Sequence, residues 1–394
     1  MKKRVCITIP PNLPMPAVKG GAIETLLQHV IDLNEKNYDC DLTVISLYDP
    51  KALKKSQQYK HTRFVYYHFK KDDKIKYFMF RGFRKVLKLN INILEPYEHF
   101  ITNYVLKNNF DIFVNESADF NSFEKISKKL GKENCFAHLH SVFSSNSTID
   151  NTFGTIISVS EFIKQNWLKS SELNSSQVRV LFNCADDSIF DKATSSTDRE
   201  KLREKLGFKP TDFVVIFSGR IVQEKGVLEL IRGIKRIKNN KIKLLIVGSP
   251  NFGKKTITKY EKQVVKEVEK SEGRISFTGF IPHNELYKYY NIAQCAVIPS
   301  MYEDPAPLVT IESMMARKPL IVTNSGGIPE YVDSKSAIVV KKEKNIVTQL
   351  SQGILDLYEN SSLRSSMSKA AHQRALDYTV DRYYNEYLKI LKVR

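Results

Sequence analysis

Apolar residues fall along this chain in short uninterrupted runs, and between most of those runs they recur at three- and four-residue spacing. The first run, Val5 to Ile9, stops at Pro10-Pro11, where a fixed φ and a missing amide end a strand in a loop. That loop reaches Gly20-Gly21. From Ala22 to Leu33 the residues Ile23, Leu26, Leu27, Val30 and Leu33 share one helical face, and the next apolar run is Leu42 to Leu47. Runs at Ile112 to Val114, Cys135 to Leu139 and Thr155 to Val159 repeat the rhythm. A strand covered by helices on both faces reads as a continuous apolar run. The alternation therefore predicts a doubly wound parallel α/β sheet, with ligands gathered at the carboxyl ends of its strands.

After the polar stretch Lys169 to Gln177 the rhythm restarts, with strands predicted at Val178 to Leu181, Phe213 to Phe217, Leu244 to Val247, Ala296 to Ile298 and Leu320 to Val322. A chain of 394 residues exceeds what one core usually organises. Two Rossmann-like domains are expected, 1–168 and 169–378, with the linker near 165–177. A terminal helix near 379–394, carrying Tyr383, Tyr384, Tyr387 and Leu388, is expected to pack back on the first domain. No apolar run approaches the ~18 residues of a membrane span. No leader pattern precedes the first strand, so the cytoplasm is the expected compartment.

Charge adds a constraint. The formal net charge of +18 favours an anionic partner without choosing among nucleic acid, phosphate and an acidic membrane, and part of it can be plain solvation. Residues 64–100 interleave aromatics such as Phe64, Tyr66, Tyr77 and Phe83 with Lys70, Lys71, Lys74, Lys76 and Arg81. Such a mixture beds a helix into an anionic interface, or it buries rings in a core and solvates lysines. The cysteines Cys6, Cys40, Cys135, Cys184 and Cys295 are odd in number and scattered, and are expected to be reduced and buried.

The densest chemistry runs from Pro299 to Glu330. Asp304 and Glu312 stand with seven residues between them, the first in a loop and the second in a helical pattern, and a later strand ends in Ser325-Gly326-Gly327. Carboxylates so placed suit charge-assisted hydrogen bonds to sugar and ribose hydroxyls, and a helix N-terminus beside them suits a diphosphate. Taken by itself, Glu312 is equally a helix-terminus carboxylate.

These features resemble those of retaining glycosyltransferase family 4, of the GT-B class, and the likeness touches motifs across nearly the whole chain. The family's pair of acids falls on Asp304 and Glu312, with Glu303 adjacent, so that either Glu303 or Asp304 faces the donor sugar. Pro307 stands where relatives place a glycine amide. Leu308 and Val309 then fall at the donor-binding start of the helix. The run Ser218-Gly219-Arg220-Ile221-Val222-Gln223-Glu224-Lys225-Gly226 matches the family's diphosphate cradle, formed by Gly219, Arg220 and Lys225. Two cations at a strand end neutralise a pyrophosphate without metal.

In the first half, Gly20 and Gly21 fall where the family brings backbone close to donor phosphate. Phe136-Ala137-His138-Leu139-His140 puts both histidines on one side of a strand, His140 being the active-site candidate and a satisfied structural histidine the alternative. Glu24 meets the acceptor or faces solvent. Asn183-Cys184-Ala185-Asp186, Val247-Gly248-Ser249 and Phe277-Thr278-Gly279-Phe280-Ile281-Pro282 keep the family's order, with Gly248 near the nucleotide base and Cys184 where glycine is common.

The resemblance implies a GT-B fold with two facing domains, and transfer with retention from a nucleoside-diphosphate sugar to a glycan or lipid-linked acceptor in cell-surface polysaccharide synthesis. It implies no cofactor, no nucleic-acid partner and, because no D-x-D pair stands at a strand's carboxyl end, no metal. A nucleotide-sugar epimerase of similar fold and a non-catalytic coat or surface protein with a relic site are the alternatives. The basic-aromatic segment adds an anionic inner membrane face as an expected partner. If so, replacing Lys70, Lys71, Lys74 and Lys76 with Gln lowers flotation with anionic vesicles and leaves donor binding intact, since each basic residue at such a surface contributes about 1 kcal/mol. Equal flotation of parent and variant would make these lysines an ordinary solvated face.

Overall fold

The structure, a computed structural model, describes residues 2–69, 96–249 and 258–393. It divides into two compact units, one of Met1–Phe182 with Tyr383–Arg394 and one of Asn183–Arg382. The expected basic-aromatic segment lies mostly outside the described residues, its four tested lysines included. Of its described part, Tyr67 packs on Tyr97 and Phe100 with ring centroids 5.6 and 5.3 Å apart, so that ring serves the domain's own packing.

The first unit is a seven-stranded parallel sheet. Its strands are β1 (Arg4–Thr8), β2 (Asp41–Leu47), β3 (Thr62–Tyr67), β4 (Ile112–Glu116), β5 (Cys135–Leu139), β6 (Thr155–Ser158) and β7 (Val178–Val180), in the spatial order β3-β2-β1-β4-β5-β6-β7. The order reverses beside β1, at the point where a doubly wound sheet opens a crevice beyond its strand ends. Two differences from expectation stand out. The edge strand β3 was not foreseen, because its partly exposed residues do not read as a buried run. Val178–Val180 was expected to open the second domain, yet it pairs in parallel with β6, so the division falls at Phe182/Asn183.

The second unit is a six-stranded parallel sheet ordered β10-β9-β8-β11-β12-β13, built from β8 (Phe213–Ser218), β9 (Ile242–Val247), β10 (Ile275–Phe277), β11 (Cys295–Ile298), β12 (Leu320–Thr323) and β13 (Ala337–Val340). Central β8 shows why its sequence is continuously apolar. Phe213, Val215 and Phe217 enter one core with Val227, Leu230, Ile231 and Ile234 of the helix Val227–Arg236, while Val214 and Ile216 enter the opposite core with Ile311 and Met314. Each such side chain contributes about 1.5–3 kcal/mol by leaving water. The edge strands β10 and β13, each only partly buried, were missed.

All five cysteines are free and buried. Among the described residues no helix is long and apolar enough to cross a membrane.

The final helix, Val380–Ile390, sends its last residues to the first unit. Tyr384 donates its hydroxyl to Asp39 Oδ2 at 2.7 Å, and Tyr387 donates to Glu116 Oε1 at 2.9 Å. Tyr387 and Glu116 are both buried. Tyr387→Phe should therefore leave a buried carboxylate oxygen without its donor and destabilise the first unit by about 1–3 kcal/mol. Trp167, the chain's one tryptophan, is fully buried in that unit, so urea unfolding followed by its fluorescence reads the loss; an unchanged midpoint would refute it.

Candidate functional site

In the second unit the site grows from the carboxyl ends of β8 and β9. Gly248, just past β9, has φ +145°, and a Cβ there would lie 1.8 Å from the carbonyl oxygen of Gly219, just past β8. Only a residue without a side chain permits this approach. The Gly219 amide donates to Val247 O at 3.0 Å and the Gly248 amide to Gly279 O at 2.9 Å, which ties three loops together. Arg220 follows Gly219 as an exposed side chain.

The chain then makes a short turn, Gln223–Lys225, closed by Gly226 in the left-handed region. A Cβ at Gly226 would meet Pro299 O at 1.9 Å, and the Met301 amide donates to Glu224 O at 2.8 Å. The turn is thereby held against the loop that follows β11. Lys225 Nζ consequently lies 2.5 Å from Asp304 Oδ2, which also accepts from Ser300 Oγ at 3.0 Å. Two residues singled out separately in the sequence thus form one ion pair, with Asp304 only 3% exposed.

Glu303 takes a different course. Its side chain is 54% exposed, pairs with Lys342 and accepts from the Gly326 amide at 2.6 Å. Lys342 holds this carboxyl below its ordinary range, ahead of an opposing contribution from burial. Leu308 and Val309 form the first turn of the helix Leu308–Met315, which begins after Pro307 without a side-chain cap. Glu312, on the same helix and 3% exposed, faces the Nε2 of His283 at 2.8 Å through its Oε1. Its Oε2 is buried and meets no hydrogen-bond partner.

In the first unit Gly20 and Gly21 have φ +78° and +109°, and Gly21 caps the helix Ala22–Asn37. Glu24, in that helix's first turn, does not face solvent: it is buried, and burial pushes its carboxyl up to about 7. His138 and His140 sit at and just beyond the end of β5, with ring centroids 4.1 Å apart. Between them lies Glu116, at the end of β4, whose Oε2 is 2.8 Å from His140 Nε2 and 2.8 Å from His138 Nδ1, the latter outside hydrogen-bond geometry.

Burial opposes ionisation of Glu116, but the two imidazoles outweigh it and hold the carboxyl well below the usual range. Burial and the neighbouring His138 press His140 down to about 4. An ionised carboxylate only accepts, so His140 carries its proton on Nε2 and keeps Nδ1 as a lone pair. Among the described residues this trio is also the group able to hold a metal ion, its ligand atoms lying within 4.8 Å of one another.

Residues 198–374 match the family model described as Glycosyl transferases group 1. Spore coat protein SA of Bacillus subtilis (strain 168) is 22% identical over 386 residues, which cover 94% of each chain. The capsular polysaccharide biosynthesis glycosyltransferase CapM of Staphylococcus aureus is 29% identical over 233 residues, 56% of each chain. Among solved structures, Anabaena HepE in complex with UDP and glucose aligns with a TM-score of 0.76 at 17% identity, covering 99% of this chain and 100% of that one. The chain has the GT-B fold. The stretch that this family model matches lies within the second unit, Asn183–Arg382.

Sequence reasoning on this GT-B chain missed Glu116, His283 and Lys342. Glu116 had a legible signal, a carboxylate ending the strand that opens Ile112-Phe113-Val114, next to the strand that carries His138 and leads into His140. His283 directly follows the quoted Ile281-Pro282, but nothing local tied it to Glu312, 29 residues away.

The state of Glu24 has a measurable sign. Because its pKa rises on folding from 4.5 to about 7, the folded chain holds the proton more tightly and loses stability as pH climbs through that window. Glu24→Gln removes this loss. It should stabilise the first unit by on the order of 2–3 kcal/mol at pH 8 and by little at pH 4, read by Trp167 fluorescence in urea. A variant equally offset at both pH values would contradict the assignment.

Proposed function

We propose that the chain is a retaining, metal-independent glycosyltransferase of family 4 that moves a sugar from a nucleoside-diphosphate sugar to a glycan or lipid-linked acceptor. The observation that carries this reading is the Lys225–Asp304 pair beside exposed Arg220, on the same strand-end surface as the half-satisfied carboxylate of Glu312. In this reading Arg220 and Lys225 meet the charge that grows on the departing diphosphate, and Glu312 holds the ribose. Asp304 orients the donor sugar, since it is buried against Lys225, whereas Glu303 is exposed and engaged by Lys342.

Retention through an oxocarbenium-like transition state, with a donor phosphate oxygen accepting the acceptor's proton, needs no dedicated strong base. His140 contributes a neutral, oriented imidazole to the acceptor side, and Gly20 and Gly21 supply the positive-φ backbone that leads into the helix Ala22–Asn37. Preorganised donors of this kind are commonly worth ~3 kcal/mol each in the transition state. The likeness to HepE crystallised with UDP and glucose supports a sugar nucleotide as donor, and the likeness to CapM supports work in cell-surface polysaccharide synthesis.

A non-catalytic surface protein with a relic site is a second reading, and the full-length likeness to spore coat protein SA favours it. Calorimetric titration with a panel of nucleoside-diphosphate sugars, followed by product analysis, separates the two, because a relic shows no saturable donor binding. Arg220→Ala and Lys225→Ala should each cut turnover about 10²-fold or more with the fold intact, and EDTA should leave the parent's turnover unchanged. Near-normal turnover in both variants would remove them from the diphosphate site.

A further inference from the structure

Glu312 is a buried carboxylate of the second unit with only one of its two oxygens hydrogen-bonded. One carboxylate oxygen is held by His283 and the other is sealed from water without a partner. An ionised carboxylate offers about four acceptor positions, and leaving a buried one unused carries a desolvation penalty. Such an oxygen is an open acceptor that an incoming hydroxyl can take up. Which oxygen stays open is decided by His283.

Its imidazole is fixed from two sides. The ring meets Phe190 in an edge arrangement, centroids 5.2 Å apart at 73°, and its Nε2 is directed at Glu312 Oε1. Phe190 is itself buried against Tyr290, with centroids 5.9 Å apart. The ring therefore has little freedom to release Oε1 and take Oε2 instead. The charged groups that face it are Glu312 and Asp186. Burial acts against its protonation, but these two acids outweigh burial and raise its pKa, so the Nε2 hydrogen stays in place.

We propose that His283 is a positioning residue of the donor site: its Nε2–H occupies Glu312 Oε1 so that Oε2 is presented to the ribose hydroxyls of a nucleoside diphosphate. This rests on the reading of Glu312 as the ribose carboxylate. His283 acts through Glu312 and does not touch the ribose. A glutamine at 283 can put an amide N–H where the imidazole Nε2 stands, whereas a leucine fills similar space with no donor.

The test is calorimetric titration of the full chain with UDP, GDP and ADP, continued with whichever binds most tightly and with its dideoxy analogue lacking both ribose hydroxyls. His283→Leu is expected to weaken the hydroxylated nucleotide about tenfold, His283→Gln to stay within about threefold of the parent, and both to match the parent on the dideoxy probe. In a Glu312→Gln background, His283→Leu should add nothing further. Parent-like binding of the hydroxylated nucleotide by His283→Leu overturns the proposal, as does an equal loss on both probes, which would mean that His283 supports the fold or meets the base. Should His283→Leu fail to fold, a tenfold loss in His283→Gln confined to the hydroxylated probe would equally contradict it. Failure of the underlying reading looks different: the parent then binds the two probes alike, or Glu312→Gln leaves affinity unchanged.

Discussion

A carboxylate taken out of water must be met by a cation or by hydrogen-bond donors, and Asp304 has one of each. Lys225 and Ser300 supply its side-chain partners, and the Gly327 amide donates to its carbonyl at 2.9 Å. Burying an ion pair is not by itself a strong source of stability, because both charges lose their hydration. The fold sustains this pair by geometry: Gly226 lies against Pro299, and Glu224 O accepts from Met301. In the donor-binding reading, the pair stores a cation next to the place where phosphate charge arrives. Lys225 then exchanges one anionic partner for another and needs no reorganised surroundings to do so.

The first unit buries a carboxylate with different means. Among the described residues Glu116 has no lysine or arginine partner; it is surrounded by two imidazoles and a tyrosine hydroxyl. One of those three partners comes from the last dozen residues of the chain, so the environment of a β4 side chain is complete only when the C-terminal helix is in place. The orientation of His140 and the docking of that helix are therefore linked through a single carboxylate.

Much of this was legible in the chain itself. The interior strands declared themselves because a strand buried on both faces is apolar without interruption, as β8 is. The edge strands β3, β10 and β13 did not, each being only partly buried. Residues of the second unit that lie close together in sequence, such as Arg220 and Lys225 or Asp304 and Glu312, could be read because local motifs carry them. Their couplings could not. Lys225 to Asp304 spans 79 positions and His283 to Glu312 spans 29, and such pairings follow from how strand ends converge. The same holds for the domain boundary, which moved because three residues, Val178–Val180, found a partner in β6.

The backbone contact between Gly219 and Gly248 makes two loops of the second unit interdependent. With a carbonyl of one occupying the space where a side chain of the other would stand, neither loop can shift by an ångström without displacing its neighbour. For anyone grafting loops into this site, the ends of β8 and β9 are a single module: exchanging one alone imports a backbone path that its partner does not fit. Lineages that diverge here are expected to change both segments together or neither.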